Sequence, residues 1–201
     1  MFDARVRPWI DPPLNAAGRW LAARGVRADG VTLVGLGAGV AAAVAVAHGH
    51  FAAGFAFIAL SRLFDGLDGA VARATAITDH GGYLDIVSDF GFYAAVPLGF
   101  AFADPARNAL PAAALLAAFT LTCASFLAFA TIAAKRGLET TASGKKSLFY
   151  SFGLMEGTET ITLLLAMTLI PDRFPTIAWV FAALCLGTVL QRSLGALITF
   201  R

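Results

Sequence analysis

Four aspartates fall at helical spacing within a short stretch of an otherwise apolar chain. Residues 65–89 read DGLDGAVARATAITDHGGYLDIVSD and hold five of the thirteen acidic residues of the protein. Asp65 and Asp68 are three residues apart and Asp85 and Asp89 are four apart, so each pair shares one face of a helix. Two helices joined by a short turn would place these pairs opposite one another. Carboxylates this close cannot all stay ionised unless cations neutralise them.

The same stretch leaves two ways to neutralise the carboxylates. Protonation would suit a proton relay, whereas oxygen ligands from aspartate suit Mg²⁺ or Mn²⁺. Two such ions about 3.5–4 Å apart form a clamp for displacement at phosphorus. Small side chains at Gly69, Ala72 and Ala76 leave room beside the first pair. Arg73, one turn beyond Gly69, would then bind a phosphate or diphosphate.

The elements that must position these residues are long apolar segments. The chain is 58% hydrophobic and 14% charged, against about 45–50% and about 25% in soluble domains, and its mean hydropathy is +0.74. A spanning helix needs roughly 20 mostly apolar residues. The fold class is predicted to be an all-α integral membrane protein with six transmembrane helices. The predicted spans are 31–48, 52–73, 82–103, 110–134, 147–170 and 174–199.

The basic residues orient this six-helix arrangement. Eleven of them fall on one side and two on the other, and such an excess marks the cytoplasmic side. The eleven are Arg5, Arg7, Arg19, Arg24, Arg27, Arg73, Lys135, Arg136, Lys145, Lys146 and Arg201. The two on the other side are Arg107 and Arg173. Both termini and the connections 73–81 and 135–146 are therefore predicted to face the cytoplasm, and the active site is predicted to open to that side.

Residues 1–30 are predicted to form a cytoplasmic and interfacial N-terminal segment ahead of a transmembrane domain over residues 31–201. Within it, Leu14, Ala17 and Leu21 share one helix face, with Trp20 alongside. This pattern favours a short amphipathic helix lying in the membrane interface.

The acidic stretch resembles the signature of the CDP-alcohol phosphotransferase (phosphatidyltransferase) family, Asp-x-x-Asp-Gly-x-x-Ala-Arg followed by Gly-x-x-x-Asp-x-x-x-Asp. The matching positions are Asp65, Asp68, Gly69, Ala72, Arg73, Gly81, Asp85 and Asp89. Seven residues separate Arg73 from Gly81, where much of the family has eight. This difference falls in the turn and leaves the aspartate spacings unchanged.

The resemblance implies a reaction in phospholipid biosynthesis. A CDP-linked lipid such as CDP-diacylglycerol transfers its phosphatidyl group to an alcohol, and CMP leaves. It implies two Mg²⁺ or Mn²⁺ ions held by the four aspartates, with Asp89 also acting as the catalytic base. It further implies a homodimer in a bacterial-type inner membrane, and no nucleic-acid partner is expected. The residues implied to bind the CDP-linked lipid are Asp29, Gly30, Val31, Thr32, Gly69, Arg73 and Thr78.

The acceptor alcohol is predicted only by class. Lys145, Lys146 and Arg192 favour a glycerol 3-phosphate-like acceptor, while Glu156 would favour an amino alcohol such as choline. Phosphatidylglycerol and inositol phosphate are further alternatives. Ionisable groups inside a membrane usually face a polar cavity or one another. The alternative role of Glu156 and Glu159 is therefore an ion pair with Arg192 that fixes the packing of the helices.

Arg62, one turn before Asp65, is predicted to form an ion pair with Asp65 or another carboxylate.

Two other functions use acidic membrane helices. Intramembrane prenyltransferases have about nine spans and lack the Gly-x-x-Ala-Arg element. A cation or proton transporter would explain the carboxylates but not Gly69, Ala72 and Arg73.

Overall fold

The computed structural model describes the backbone of residues 3–7 and all atoms of residues 8–138, 155 and 157–201. These residues form helices and turns, and no strand occurs among them. The helices are α1 (Asp3–Ala22), α2 (Ala28–Ala47), α3 (Phe51–Ala74), α4 (Asp79–Ala103), α5 (Pro105–Lys135), α6 (Gly157–Leu169) and α7 (Phe174–Thr199), with one 3₁₀ turn at Pro171–Arg173.

Four segments are both long enough and apolar enough to cross a membrane: α2, α4, α5 and the segment Pro171–Thr199 that contains α7. At 1.5 Å per residue the 24 residues of α3 extend about 36 Å, which exceeds a hydrocarbon core of about 30 Å. Helix α3 is less apolar because Arg62, Asp65 and Asp68 lie in it. Helix α6 is a shorter apolar helix. The first part of the predicted span 147–170 lies outside the described residues.

Helices α2, α3 and α4 cross at close distances because glycines lie at their contacts. A Cβ atom at Gly39 would lie 2.7 Å from the Phe92 ring, and one at Gly35 would lie 3.1 Å from the Cβ atom of Phe64. A Cβ atom at Gly99 would lie 2.5 Å from the Ala43 carbonyl oxygen. These close approaches pack α2 against both α3 and α4.

Helix α1 is longer than the predicted interfacial helix and packs against α3. It runs through Pro12 and Pro13 and begins well before the predicted face that contains Leu14. A Cβ atom at Gly18 would lie 2.6 Å from the Cβ atom of Ala70, and one at Gly66 would lie 2.8 Å from the Leu14 side chain. The face containing Leu14 therefore contacts the protein. Among the described side chains of α1, the large apolar ones that are exposed are Trp9, Ile10 and Trp20.

The end of the bundle farthest from the acidic stretch is closed by aromatic and ionic contacts. Phe100 stacks on Phe174 with ring centroids 4.3 Å apart. Arg107, which follows α4, donates a hydrogen bond to the Asp172 carbonyl oxygen and lies 3.8 Å from its carboxylate. These contacts join the connection between α4 and α5 to the connection between α6 and α7. Two of the three predicted non-cytoplasmic connections therefore lie together at one end.

Candidate active site

Carboxylates from α3 and α4 converge as the spacing predicted. Asp65, Asp85 and Asp89 each place one carboxylate oxygen within 4.8 Å of the others. Asp68 lies outside this group of three and is 6% exposed, and its Oδ2 atom has no hydrogen-bond partner among the described residues. A buried carboxylate oxygen without a donor beside three converging carboxylates fits a divalent cation, which prefers oxygen ligands. We call these four residues the aspartate cluster.

A small cavity joins Asp68 to the rest of the aspartate cluster. Its lining includes Asp65, Asp68 and Asp89 together with polar residues from α2, α3 and α4, namely Thr32, Ser61, Arg62 and Ser88. The Ser88 hydroxyl is buried and has no hydrogen-bond partner among the described residues. Ser61 and Ser88 were not predicted as site residues. The signal that could have found them is a polar side chain within an otherwise apolar helix, on the face of the aspartates.

A cavity of about 210 Å³ borders the aspartate cluster. We call it the donor cavity, after the predicted CDP-lipid-binding residues in its lining. It contains Asp29, Thr32, Gly69, Arg73 and Thr78 of the predicted CDP-lipid-binding set, together with Asp68 and Asp85. Gly30 and Val31 are not among its lining residues. Asp29 and Thr32 lie three apart on α2 and share a face, whereas Val31 turns into the core and is 7% exposed.

Arg73, at the end of α3, is held by a residue that sequence reasoning missed. Its Nε and NH2 atoms donate hydrogen bonds of 3.3 and 3.0 Å to the Asn15 side-chain oxygen on α1. The two residues are 58 positions apart, so no local pattern links them. Helix α1 therefore orients a lining residue of the donor cavity.

Thr78 and Gly81 define the start of α4. Thr78 is the N-cap, and its hydroxyl oxygen accepts a hydrogen bond of 3.0 Å from the Gly81 backbone N–H. A threonine at this position satisfies one of the free N–H groups of the first turn. A Cβ atom at Gly81 would lie 3.0 Å from the Thr78 hydroxyl oxygen and 3.4 Å from the Asp29 carboxylate. Glycine thus leaves space where α4 meets α2.

A second cavity, of about 470 Å³, opens on the other side of the aspartate cluster between α4, α5 and α7. We call it the acceptor cavity, after the predicted acceptor residue Arg192 in its lining. It is lined by Asp85 and Asp89 and by Arg192 of α7. The Arg192 NH1 atom donates hydrogen bonds to the Thr122 carbonyl oxygen at 3.0 Å and to the Ser125 hydroxyl at 2.7 Å. Its aromatic lining residues are Phe90, Tyr93, Phe119 and Phe126.

The remaining predicted acceptor residues, Lys145, Lys146 and Glu156, lie outside the described residues. Glu159 lies in the first turn of α6 and is partly buried. Its neighbours Gly157 and Thr160 line the acceptor cavity. Of the predicted acceptor set, Arg192 is therefore the member that the described structure brings to this cavity.

Arg62 forms the ion pair that the sequence predicted. Its NH1 atom donates a hydrogen bond of 2.6 Å to Asp89 Oδ1 and lies 3.6 Å from Asp65 Oδ1. The guanidinium carbon lies 4.0 Å from the Phe92 ring centroid, which is a cation–π distance. Arg62 thus connects the two helices that supply the aspartate cluster.

The sequence matches a known family over most of its length. A family model described as CDP-alcohol phosphatidyltransferase matches residues 26–191. The inner membrane protein YnjF of Escherichia coli (strain K12) is 46% identical over 201 residues, which cover 100% of this chain and 98% of that protein.

Two solved structures of the Mycobacterium tuberculosis phosphatidylinositol phosphate synthase PgsA1 share the fold. The structure with CDP-DAG bound has a TM-score of 0.65 and 26% identity, covering 89% of this chain and 90% of that chain. The structure in complex with manganese and citrate has a TM-score of 0.66 and 26% identity, covering 90% of this chain and 88% of that chain.

The chain belongs to the CDP-alcohol phosphatidyltransferase family. It is a membrane enzyme that transfers a substituted phosphate group from a CDP-linked lipid in phospholipid synthesis. Its aspartate cluster fits the use of a divalent metal.

Proposed function

We propose that this protein transfers the phosphatidyl group of CDP-diacylglycerol to a glycerol 3-phosphate-like alcohol and releases CMP. One observation carries the proposal: the aspartate cluster lies between two cavities, and Asp85 lines both of them. A phosphorus atom beside the cluster would face the CMP leaving group on one side and the acceptor hydroxyl on the other. The binding of CDP-DAG by PgsA1 supports the choice of donor.

The donor cavity is proposed to hold the CDP group. Gly69 has no side chain to fill the space beside it, so the nucleotide can approach the backbone of α3 closely. Arg73 would pair with the diphosphate, because a guanidinium forms charge-assisted hydrogen bonds to phosphate oxygens. Asp29, Thr32 and Thr78 would contact the nucleotide from α2 and from the start of α4. Gly30 and Val31 would support that segment from the side facing away from the cavity.

The aspartate cluster is proposed to hold two Mg²⁺ or Mn²⁺ ions through Asp65, Asp68, Asp85 and Asp89. Bound divalent ions polarise the phosphoryl group and stabilise the leaving oxygen. The manganese complex of PgsA1 supports this use of the cluster. Asp89 would accept the proton of the acceptor hydroxyl as its oxygen attacks phosphorus. A positioned carboxylate can act as this general base, and Asp89 lines the acceptor cavity.

The acceptor is proposed to carry a phosphate because a cation borders the acceptor cavity. The NH1 atom of Arg192 is fixed by Thr122 and Ser125, so the guanidinium is held in one orientation at the cavity wall. Lys145 and Lys146 are proposed to add positive charge from the connection before α6. Glu156 would instead favour an amino alcohol. A screen of acceptor substrates distinguishes the two classes.

The six-span topology is proposed to place both cavities at the cytoplasmic side of the inner membrane. The distribution of basic residues supports this orientation, and the name of the relative YnjF supports the inner membrane. Helix α1 is proposed to lie at the interface, where Trp9 and Trp20 would meet lipid headgroups. A homodimer is proposed from the family resemblance.

The test is CMP release by the purified protein from CDP-diacylglycerol, measured with separate acceptors. Glycerol 3-phosphate, inositol phosphate, phosphatidylglycerol, serine and choline would each be tried with Mg²⁺, with Mn²⁺ and with excess EDTA. We expect metal-dependent CMP release that a phosphorylated alcohol stimulates most. Turnover with choline alone would reverse the acceptor assignment, and full turnover in EDTA would contradict the metal assignment.

Asp79→Asn is the matched control for the aspartate variants, because Asp79 is exposed in the first turn of α4. We expect Asp65→Asn, Asp68→Asn and Asp85→Asn each to weaken metal binding, while the Asp79 variant behaves as the unmodified protein. Equal metal dependence in all four variants would exclude the cluster as the metal site.

A further inference from the structure

Arg62 is a buried cation inside the aspartate cluster, and the proposed reaction does not use it. Its side chain is 10% exposed and carries a permanent charge. Besides the contacts with Asp65 and Asp89, its NH2 atom lies 3.2 Å from the Ser61 hydroxyl. The Phe92 ring covers one face of the guanidinium. An arginine fixed on several sides has a defined position relative to the carboxylates.

The oxygen atoms that Arg62 contacts belong to the proposed metal ligands. Asp65 and Asp89 are two of the three residues whose carboxylate oxygens converge within 4.8 Å. A guanidinium hydrogen bond and a metal bond both use carboxylate lone pairs. A guanidinium in contact with these carboxylates also repels any second cation that approaches them. Arg62 and a divalent ion therefore compete for Asp65 and Asp89.

We propose that Arg62 is a resident counter-cation of the aspartate cluster. In the metal-free protein it holds Asp65 and Asp89 together and so keeps α3 and α4 in place despite the four carboxylates of the aspartate cluster. The same charge weakens the binding of a divalent ion, so the site exchanges metal more readily than four aspartates alone would allow. This inference rests on the proposed metal site and assigns Arg62 a positioning role without contact to the substrate.

The test compares Arg62→Met with the unmodified protein in detergent. Methionine retains an unbranched apolar stem of similar shape but removes the charge. We expect the dissociation constant of Mn²⁺, measured from the free-ion signal in electron paramagnetic resonance, to fall about tenfold. We also expect the metal-free variant to melt at a temperature several degrees lower. Saturating Mn²⁺ should remove most of that difference, because the metal supplies the missing positive charge.

Two control variants separate charge from shape and position. Arg62→Lys keeps the charge, so its Mn²⁺ affinity should stay within about twofold of the unmodified protein. Arg107→Met removes an arginine at the opposite end of the bundle and should leave Mn²⁺ affinity unchanged. A dissociation constant for Arg62→Met that is unchanged or higher would overturn the proposal.

The folding of Arg62→Met is itself informative. A variant recovered in folded form only with Mn²⁺ present would support the proposal. A variant that does not fold with or without Mn²⁺ would overturn it, since a metal should then replace the lost charge. An unmodified protein that binds no Mn²⁺ would contradict the proposed metal site first. If the unmodified protein binds metal and turns over normally but Arg62→Met does not bind Mn²⁺ more tightly, the counter-cation role alone is contradicted.

Discussion

Replacing Asp89 by asparagine separates proton transfer from substrate binding. Asp89 Oδ1 accepts a hydrogen bond from Arg62 at 2.6 Å, and the amide oxygen of asparagine can accept the same bond. The amide cannot take a proton from the acceptor hydroxyl. A positioned base contributes about 10²–10⁴-fold to rate, which corresponds to about 2.7–5.4 kcal/mol in the activation barrier. We therefore expect Asp89→Asn to lose this much turnover while remaining folded.

The assay for Asp89→Asn is CMP release at saturating Mn²⁺, with metal and donor binding measured on the same sample. The donor cavity residues Gly69 and Arg73 are unchanged, so the dissociation constant for the CDP-linked lipid should shift much less than turnover. Thermal unfolding with and without metal shows whether the variant is intact. A folded, metal-loaded Asp89→Asn protein with turnover within tenfold of the unmodified protein would refute the general-base assignment. Loss of folded protein would point to a structural role.

Three further predictions test the surroundings of the site. Asn15→Ala should weaken donor binding roughly fivefold to tenfold by freeing Arg73 from its hydrogen bonds; unchanged binding in a titration with CDP-diacylglycerol would count against this. Gly18→Leu should lower the free energy of unfolding by about 1–3 kcal/mol, because its Cβ atom would overlap Ala70. A melting temperature equal to that of the unmodified protein would show that α1 does not pack against α3 as described. Arg192→Met should raise the KM of a phosphorylated acceptor roughly 10–100-fold; equal KM values in steady-state kinetics would remove Arg192 from the acceptor site.

The convergence of the acidic residues could be predicted from the sequence because they lie on two consecutive helices. The spacings of Asp65 with Asp68 and of Asp85 with Asp89 fix which side chains share a face. The short connection between α3 and α4 brings the two acidic faces opposite one another. The convergence of Asp65, Asp85 and Asp89 in the structure follows from those local constraints.

Contacts between distant segments could not be predicted in the same way. The bond between Asn15 and Arg73 depends on how α1 crosses α3, and no spacing within either helix encodes that crossing. Nor does the apolar pattern around Leu14 show where α1 begins, because the helix runs through Pro12 and Pro13 and starts at Asp3. The helix continues because the affected side is exposed, so carbonyl groups left without an N–H partner can meet solvent or lipid headgroups.

Different helices line the two cavities, and this has a consequence for how the acceptor specificity of such an enzyme can change. The donor cavity and the aspartates are carried by α2, α3 and α4, which their glycine contacts bind into one unit. The acceptor cavity is completed by α5, α6 and α7. Under the proposed function, acceptor choice can change through substitutions after residue 105 and at Phe90 and Tyr93 of α4, while the donor cavity and the aspartates stay the same. A chimera that joins this first half to the second half of a relative with another acceptor should inherit that relative's product.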